Sequence, residues 1–179
     1  MEKLSLGIFV VPTITLTLVI LGYLYFAKRV KDKGEYKRFV FAVAVTSFAL
    51  NFVWELAQGP LYERFKYDLK HISFCALASV ADMLMEFILL FAFGLIYKDV
   101  YWMQSWGLKR ILLLVLVGFF GAILAEGWHT ARGDWAYADA MPLLPVAEVG
   151  LSPVLQFTIL PWLIFLICRN FIKNKYSKI

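Results

Sequence analysis

Residues 72–97 read ISFCALASVADMLMEFILLFAFGLIY, and this stretch contains only two charged side chains, Asp82 and Glu86. A helix that crosses the hydrocarbon core of a bilayer needs about 20 mostly apolar residues. The stretch therefore predicts a membrane-spanning helix. It also places two acidic residues at a depth where ionisable groups cost several kcal/mol and are usually functional.

Four further apolar windows have the length of a membrane span, at about residues 6–26, 39–58, 111–131 and 151–171. The whole chain of 179 residues is 61% hydrophobic and 17% charged. A soluble domain averages about 45–50% apolar and about 25% charged residues, so this composition excludes a soluble domain and a disordered chain. The sequence predicts one all-α integral membrane domain over residues 1–179, a bundle of about five transmembrane helices.

Basic residues are distributed unevenly between the two sides of the predicted membrane. Thirteen of the 18 Lys and Arg residues fall on the side of the 27–38 loop and the C-terminal tail. Because basic residues accumulate in cytoplasmic loops, we predict a cell-membrane protein with the N-terminus outside and the C-terminus in the cytoplasm. The 132–150 segment is then an outer cap loop. The net charge of +5 reflects this topology, and no nucleic-acid partner is expected.

Polar residues recur at helical spacing inside four of the five predicted spans. They are Asn51, Glu55 and Gln58 in the second, Ser79, Asp82 and Glu86 in the third, Glu126, His129 and Thr130 in the fourth, and Gln156 in the fifth. Residues three and four apart share one helix face. We expect each face to point into the bundle, because a charge that faces lipid is far costlier. The four sets converge in the outer half of the membrane.

A pair of carboxyl groups in an apolar site can divide the roles of general acid and general base. We predict Glu55 and Asp82 as catalytic residues acting on a lipophilic small molecule, with membrane lipids as the surrounding partners. The predicted substrate-binding residues are Asn51, Trp54, Gln58, Glu86, Glu126, His129, Trp135, Tyr137 and Gln156. A different class of function stays open, in which these polar groups only hold helices together in a binding or assembly subunit.

Two other chemistries fit parts of the pattern. Glu126 and His129 have the Glu-x-x-His spacing of di-iron bundles, but the full pattern needs two such motifs and the chain has two histidines in all. A mononuclear metal site stays an alternative, although no metal or cofactor is predicted. Transport or proton relay is a further alternative, because intramembrane carboxylates also mark ion pathways.

Gly118 and Gly121 predict close helix packing. The oligomeric state is left open.

Two segments carry a resemblance to known proteins. One is residues 50–62, LNFVWELAQGPLY, and the other lies within residues 126–162 and contains EGWH, GDWAY, MPLLP and GLSPVLQ. Together they resemble a group of small prokaryotic multi-pass membrane proteins of unknown function, which implies no particular chemistry. Asn51-x-x-Trp54-Glu55 is also similar to the membrane-integral terpene cyclases of fungal meroterpenoid and indole-diterpene pathways. That similarity implies Glu55 as a proton donor to an isoprenoid.

Overall fold

The computed structural model describes residues 10–105 and 107–172, and these form an all-α bundle. The five helices are α1 (Val10–Ala27), α2 (Lys33–Gln58), α3 (Leu69–Tyr97), α4 (Leu108–Arg132) and α5 (Leu151–Cys168). Short 3-10 turns lie at Gly59–Leu61, Trp102–Ser105 and Arg169–Phe171. The described residues contain no β-strand. The predicted fold class is therefore confirmed.

Four of the helical segments are long and apolar enough to cross a membrane: Lys33–Leu61, Leu69–Tyr97, Leu108–Arg132 and Leu151–Phe171. The described part of α1 is shorter, and residues 6–9 of the first predicted span lie outside the described residues. α2 begins six residues before its predicted span. It starts there because the Asp32 side chain caps the helix by accepting a hydrogen bond from the Glu35 backbone N–H, so the charged first turn is also helical.

The helices pack as a row in the order α1, α3, α2, α5, α4. α3 and α4 lie on either side of the α2–α5 pair, and they share no extensive interface within the described chain. We call one end of the bundle the cap end; it contains the helix termini Gln58, Leu69, Arg132 and Leu151. The opposite end is the basic end; it contains the helix termini Ala27, Lys33, Tyr97, Leu108 and Cys168.

The α4–α5 contact depends on one glycine and one proline. Pro161 lies inside α5 and lacks an N–H group, so the Phe157 carbonyl has lost its helical donor. A Cβ atom on Gly118 of α4 would collide with that carbonyl oxygen. The prediction of close packing is therefore confirmed at Gly118. It is wrong at Gly121, which is exposed and where a Cβ atom would meet no described atom within 4 Å beyond the adjacent backbone of α4.

The main hydrophobic core lies towards the basic end and is rich in aromatic rings. Trp102, on the turn between α3 and α4, is buried there and donates its indole N–H to the Leu90 carbonyl at 3.2 Å. Arg110 donates to the Trp102 carbonyl at 2.6 Å and so fixes the turn. This end of the bundle is consequently filled with apolar side chains, and the polar side chains of the spans lie elsewhere.

Candidate active site

The polar face of α2 meets α5 at the cap end. Gln58 donates one amide hydrogen bond to Glu55 Oε1 at 2.7 Å and another to Gln156 Oε1 at 3.0 Å. Gln156 in turn donates from Nε2 to Asn51 Oδ1 at 2.9 Å and reaches Glu55 Oε1 at 3.3 Å. The 3–4 spacing of the α2 residues places all three on one face, as the sequence predicts.

The same nitrogen of Gln156 connects α2 to α3, because it lies 3.1 Å from Asp82 Oδ2. Its distances to Glu55 and Asp82 together put the two carboxyl oxygens at most 6.4 Å apart. One amide nitrogen has only two hydrogens, so its three acceptors share them. Two carboxyl groups from neighbouring helices thus meet at a single amide.

Burial differs between the amides and the carboxyl groups of this network. The side chains of Asn51, Gln58 and Gln156 are at most 4% exposed, whereas Glu55 and Asp82 are only half-buried. The hydrogen bonds reach Oε1 of Glu55 and Oδ2 of Asp82. The amides are thus enclosed, whereas Glu55 and Asp82 each keep some exposed surface that a bound molecule could meet.

Ser152 belongs to this network although the sequence analysis did not single it out. Its hydroxyl donates to Gln58 Oε1 at 2.9 Å and so holds the Gln58 amide in one orientation. Ser152 lies four residues before Gln156, on the same face of α5. That spacing is the signal that could have identified it.

The segment after α4 folds back over the cap end and supplies hydrogen-bond donors to a third carboxyl group, that of Glu126. Backbone bonds tie it to the end of α2, from Glu63 N–H to the Ala136 carbonyl and from Ala138 N–H to the Leu61 carbonyl. Tyr137 then donates its hydroxyl to Glu126, which also accepts the Trp135 indole N–H at 3.3 Å. Burial raises the pKa of Tyr137, and the bond to Glu126 raises it further.

Tyr62 lies among the three carboxyl groups, and the sequence analysis named it only within the resemblance segment. The Gly59–Leu61 turn carries it beyond the end of α2, where its ring centroid is 5.7 Å from that of Tyr137. Burial raises the pKa of the Tyr62 phenol, and the nearby charges of Glu126, Glu55 and Asp82 raise it further. Its phenol is therefore a neutral polar group close to the acidic cluster.

His129 lies beside the cluster and does not enter it. Its Nδ1 is 2.7 Å from Asp134, and its ring stacks on Trp135 with centroids 4.3 Å apart. Arg132 Nε also lies 3.7 Å from Asp134. None of the ion pairs found within residues 10–105 and 107–172 involves Glu55, Asp82 or Glu126. Glu126 nevertheless lies close enough to His129 for their charges to interact.

Two predicted binding residues stand outside the hydrogen-bond network. Glu86 is 1% exposed, and neither carboxyl oxygen has a hydrogen-bond partner in the described part of the protein. The buried Ser47 hydroxyl also lacks a partner, and the antiparallel register of α2 and α3 brings it to about the depth of Glu86. Trp54 packs against the hydrophobic core, and its buried indole N–H has no partner among the described residues.

The metal alternative receives no geometric support. Within the described ranges, no three or more His, Cys, Asp and Glu side chains are arranged to hold a metal ion. His129 in particular is occupied by Asp134 and Trp135 rather than turned towards the carboxyl groups.

Comparison of the chain with protein-family models, curated proteins and solved structures found no match. The two resemblances that the sequence suggests therefore stay predictions. The function has to be inferred from the residues of this chain themselves.

Proposed function

We propose that this protein is a membrane-embedded acid–base enzyme that isomerises or cyclises a lipophilic, isoprenoid-like molecule. The observation that carries the proposal is the meeting of Glu55 and Asp82 at the Gln156 amide, with their oxygens at most 6.4 Å apart. General acid–base catalysis requires two such groups to be held in fixed positions next to a substrate.

We assign the roles of the two carboxyl groups from the similarity of Asn51-x-x-Trp54-Glu55 to the membrane-integral terpene cyclases. Glu55 is the acid: its O–H bond breaks as a C–H bond forms on a substrate double bond, which leaves a carbocation. Asp82 is the base: it takes a proton from a neighbouring carbon, whose C–H electrons form the new double bond. The proton then returns from Asp82 to Glu55, so the cycle consumes none. Gln156 holds the two carboxyl groups in position throughout the cycle.

The cap end offers suitable surroundings for such a carbocation. Tyr62, Trp135 and Tyr137 form a cluster of aromatic rings beside the carboxyl groups. Aromatic faces attract cations. Glu126 is close enough to Glu55 and Asp82 for the charges to interact, and it adds negative potential. A molecule dissolved in the bilayer could approach between α3 and α4, which share no extensive interface within the described residues.

The test compares lipid extracts from membranes that contain the wild type, Glu55→Gln or Asp82→Asn. A matched control is Glu63→Gln, which neutralises an exposed acidic residue in the loop after α2. We expect mass spectrometry to find a lipophilic species that changes in both site variants and not in the control. The proposal fails if all four extracts agree while both site variants fold and accumulate normally.

An assembly subunit is the second candidate, and one observation favours it. The amides of Gln58 and Gln156 connect α2, α3 and α5 in one network, which is also how polar residues hold membrane helices together. Native mass spectrometry of the Glu55→Gln protein separates the two candidates. Loss of an oligomer, together with an unchanged lipid extract, would favour assembly over catalysis.

Transport receives less support from the same geometry. A transport path needs polar groups that continue to the opposite face of the membrane. After Glu86, the remaining residues of α3 are almost all apolar, and the buried Trp102 closes the basic end.

A further inference from the structure

A groove of about 300 Å³ lies on α2 far from the candidate active site, near the basic end. It is lined by Arg38, Phe41, Ala42, Val45, Thr46 and Phe171. The five α2 residues follow the i, i+3, i+4, i+7, i+8 pattern and so share one face. Phe171, on the turn that follows α5, forms the other wall, because this turn packs against α2.

The lining separates into an apolar body and a cationic mouth. Among the described residues that line the body of the groove, Thr46 alone is polar. Phe41 and Val45 are exposed on a helix apolar enough to cross a membrane. Arg38 is exposed and turns back towards the start of α2, where a Cβ atom on Gly34 would be 3.7 Å from its guanidinium. Long basic side chains reach the membrane surface in this way.

The charge around this mouth is complementary to an anion. Residues 27–38 contain six basic side chains and two acidic ones. The two acidic residues, Asp32 and Glu35, lie near Arg38, and the segment keeps a net charge of +4. Basic residues at the edge of a membrane span attract anionic lipid headgroups, with about 1 kcal/mol for each Lys or Arg near the surface.

We propose that this groove binds an anionic phospholipid, with one acyl chain along Phe41, Val45 and Phe171 and the phosphate on Arg38. The volume suits part of a single chain and not a folded partner. The site is independent of the proposed enzyme, because it lies at the opposite end of α2 from Glu55.

The test uses the full chain in detergent and native mass spectrometry with added phosphatidylglycerol or phosphatidylcholine. Arg38→Gln removes the cation, and Val45→Trp fills the groove. Lys37→Gln is the matched control, since it removes an exposed charge next to Arg38 that does not line the groove. We expect Arg38→Gln to weaken retention of phosphatidylglycerol roughly fivefold and Val45→Trp to weaken it as well, with Lys37→Gln close to wild type.

Phosphatidylcholine distinguishes attraction of a net negative headgroup from simple acyl-chain adhesion. The proposal predicts weaker retention of this zwitterionic lipid and a smaller effect of Arg38→Gln on it than on phosphatidylglycerol. It is overturned if both lipids bind equally to the wild type, or if Arg38→Gln and Lys37→Gln have the same effect on phosphatidylglycerol. Because Val45 is already half exposed, the Val45→Trp variant tests the groove without disturbing the core.

Discussion

Gln156 is the residue that holds the candidate active site together. Its side chain is 1% exposed, and its Nε2 contacts one amide oxygen and two carboxyl oxygens from α2 and α3. No other side chain of the network touches both of those helices from α5 within the described residues. A change at this one position should therefore affect the stability of the bundle and the distance between the two carboxyl groups.

We predict that Gln156→Leu, which has a similar size, lowers the free energy of unfolding by about 1–2 kcal/mol. The substitution removes the donor and leaves buried acceptors on α2 and α3, while single hydrogen bonds between membrane helices average about 0.6 kcal/mol. Unfolding in mixed detergent measures the difference. Asn170→Leu, which replaces an exposed amide near the basic end, is the control and should have little effect. Equal stability of Gln156→Leu and wild type would contradict the network.

Tyr137 makes the stability of the folded bundle depend on pH in the alkaline range. Its pKa in the folded protein lies above the ordinary value of 10.0, chiefly because of burial and then because of its bond to Glu126. The unfolded chain ionises first as the pH rises, so the stabilisation is complete below pH 10 and is lost above it. We expect Tyr137→Phe to have a shallower loss of stability above pH 10 than the wild type, as measured by thermal unfolding at several pH values. Tyr67→Phe, which removes an exposed phenol, is the control, and equal slopes for Tyr137→Phe and wild type would refute the assignment.

The α4–α5 pair is the element contact that depends most on a single small residue. At Gly118 a side chain would meet the Phe157 carbonyl, which Pro161 leaves without a helical donor. Backbone cannot move aside as easily as a flexible side chain can. We therefore predict that Gly118→Ala destabilises the protein by about 1–3 kcal/mol.

Gly121→Ala provides the matched control, because it makes the same chemical change at an exposed position of α4 where the added Cβ atom meets no other described part of the bundle within 4 Å. This substitution should be neutral or slightly stabilising, since alanine is a better helix former than glycine. Heat denaturation in detergent compares the two variants. Equal thermal stability of the two variants would contradict the close approach of α4 to α5 at Gly118.

The elements were largely predictable from the sequence because a membrane span is specified by length and apolarity alone. α3 begins three residues earlier than predicted, since Asp68 caps it by accepting the His71 N–H. Helical spacing also predicted that the polar faces of α2 and α3 meet. It could not identify Tyr62, which reaches the site through the Gly59–Leu61 turn, because the path of a turn depends on tertiary contacts. The order of the helices in the row is likewise set by packing and not by spacing.

At the scale of the whole molecule, the cap end and the basic end of the bundle differ in chemistry. The cap end gathers three carboxyl groups beneath a folded-back segment, and the basic end has an aromatic core and the groove at Arg38. Glu55 and Asp82 are half-buried and lie in helices that are apolar enough to cross a membrane. Such an arrangement suits a substrate that arrives through the membrane rather than from water.

The orientation of the molecule is the last prediction, and it decides which leaflet each surface meets. Thirteen of the 18 basic residues lie towards the basic end or in the C-terminal tail, so we predict that this end is cytoplasmic. A C-terminal fluorescent-protein fusion should then fluoresce, and a C-terminal alkaline phosphatase fusion should be inactive. A phosphatase fused within residues 138–140 of the cap end should be active. The reverse pattern would put the carboxyl groups in the cytoplasmic leaflet and move Arg38 away from the anionic lipids that are concentrated there.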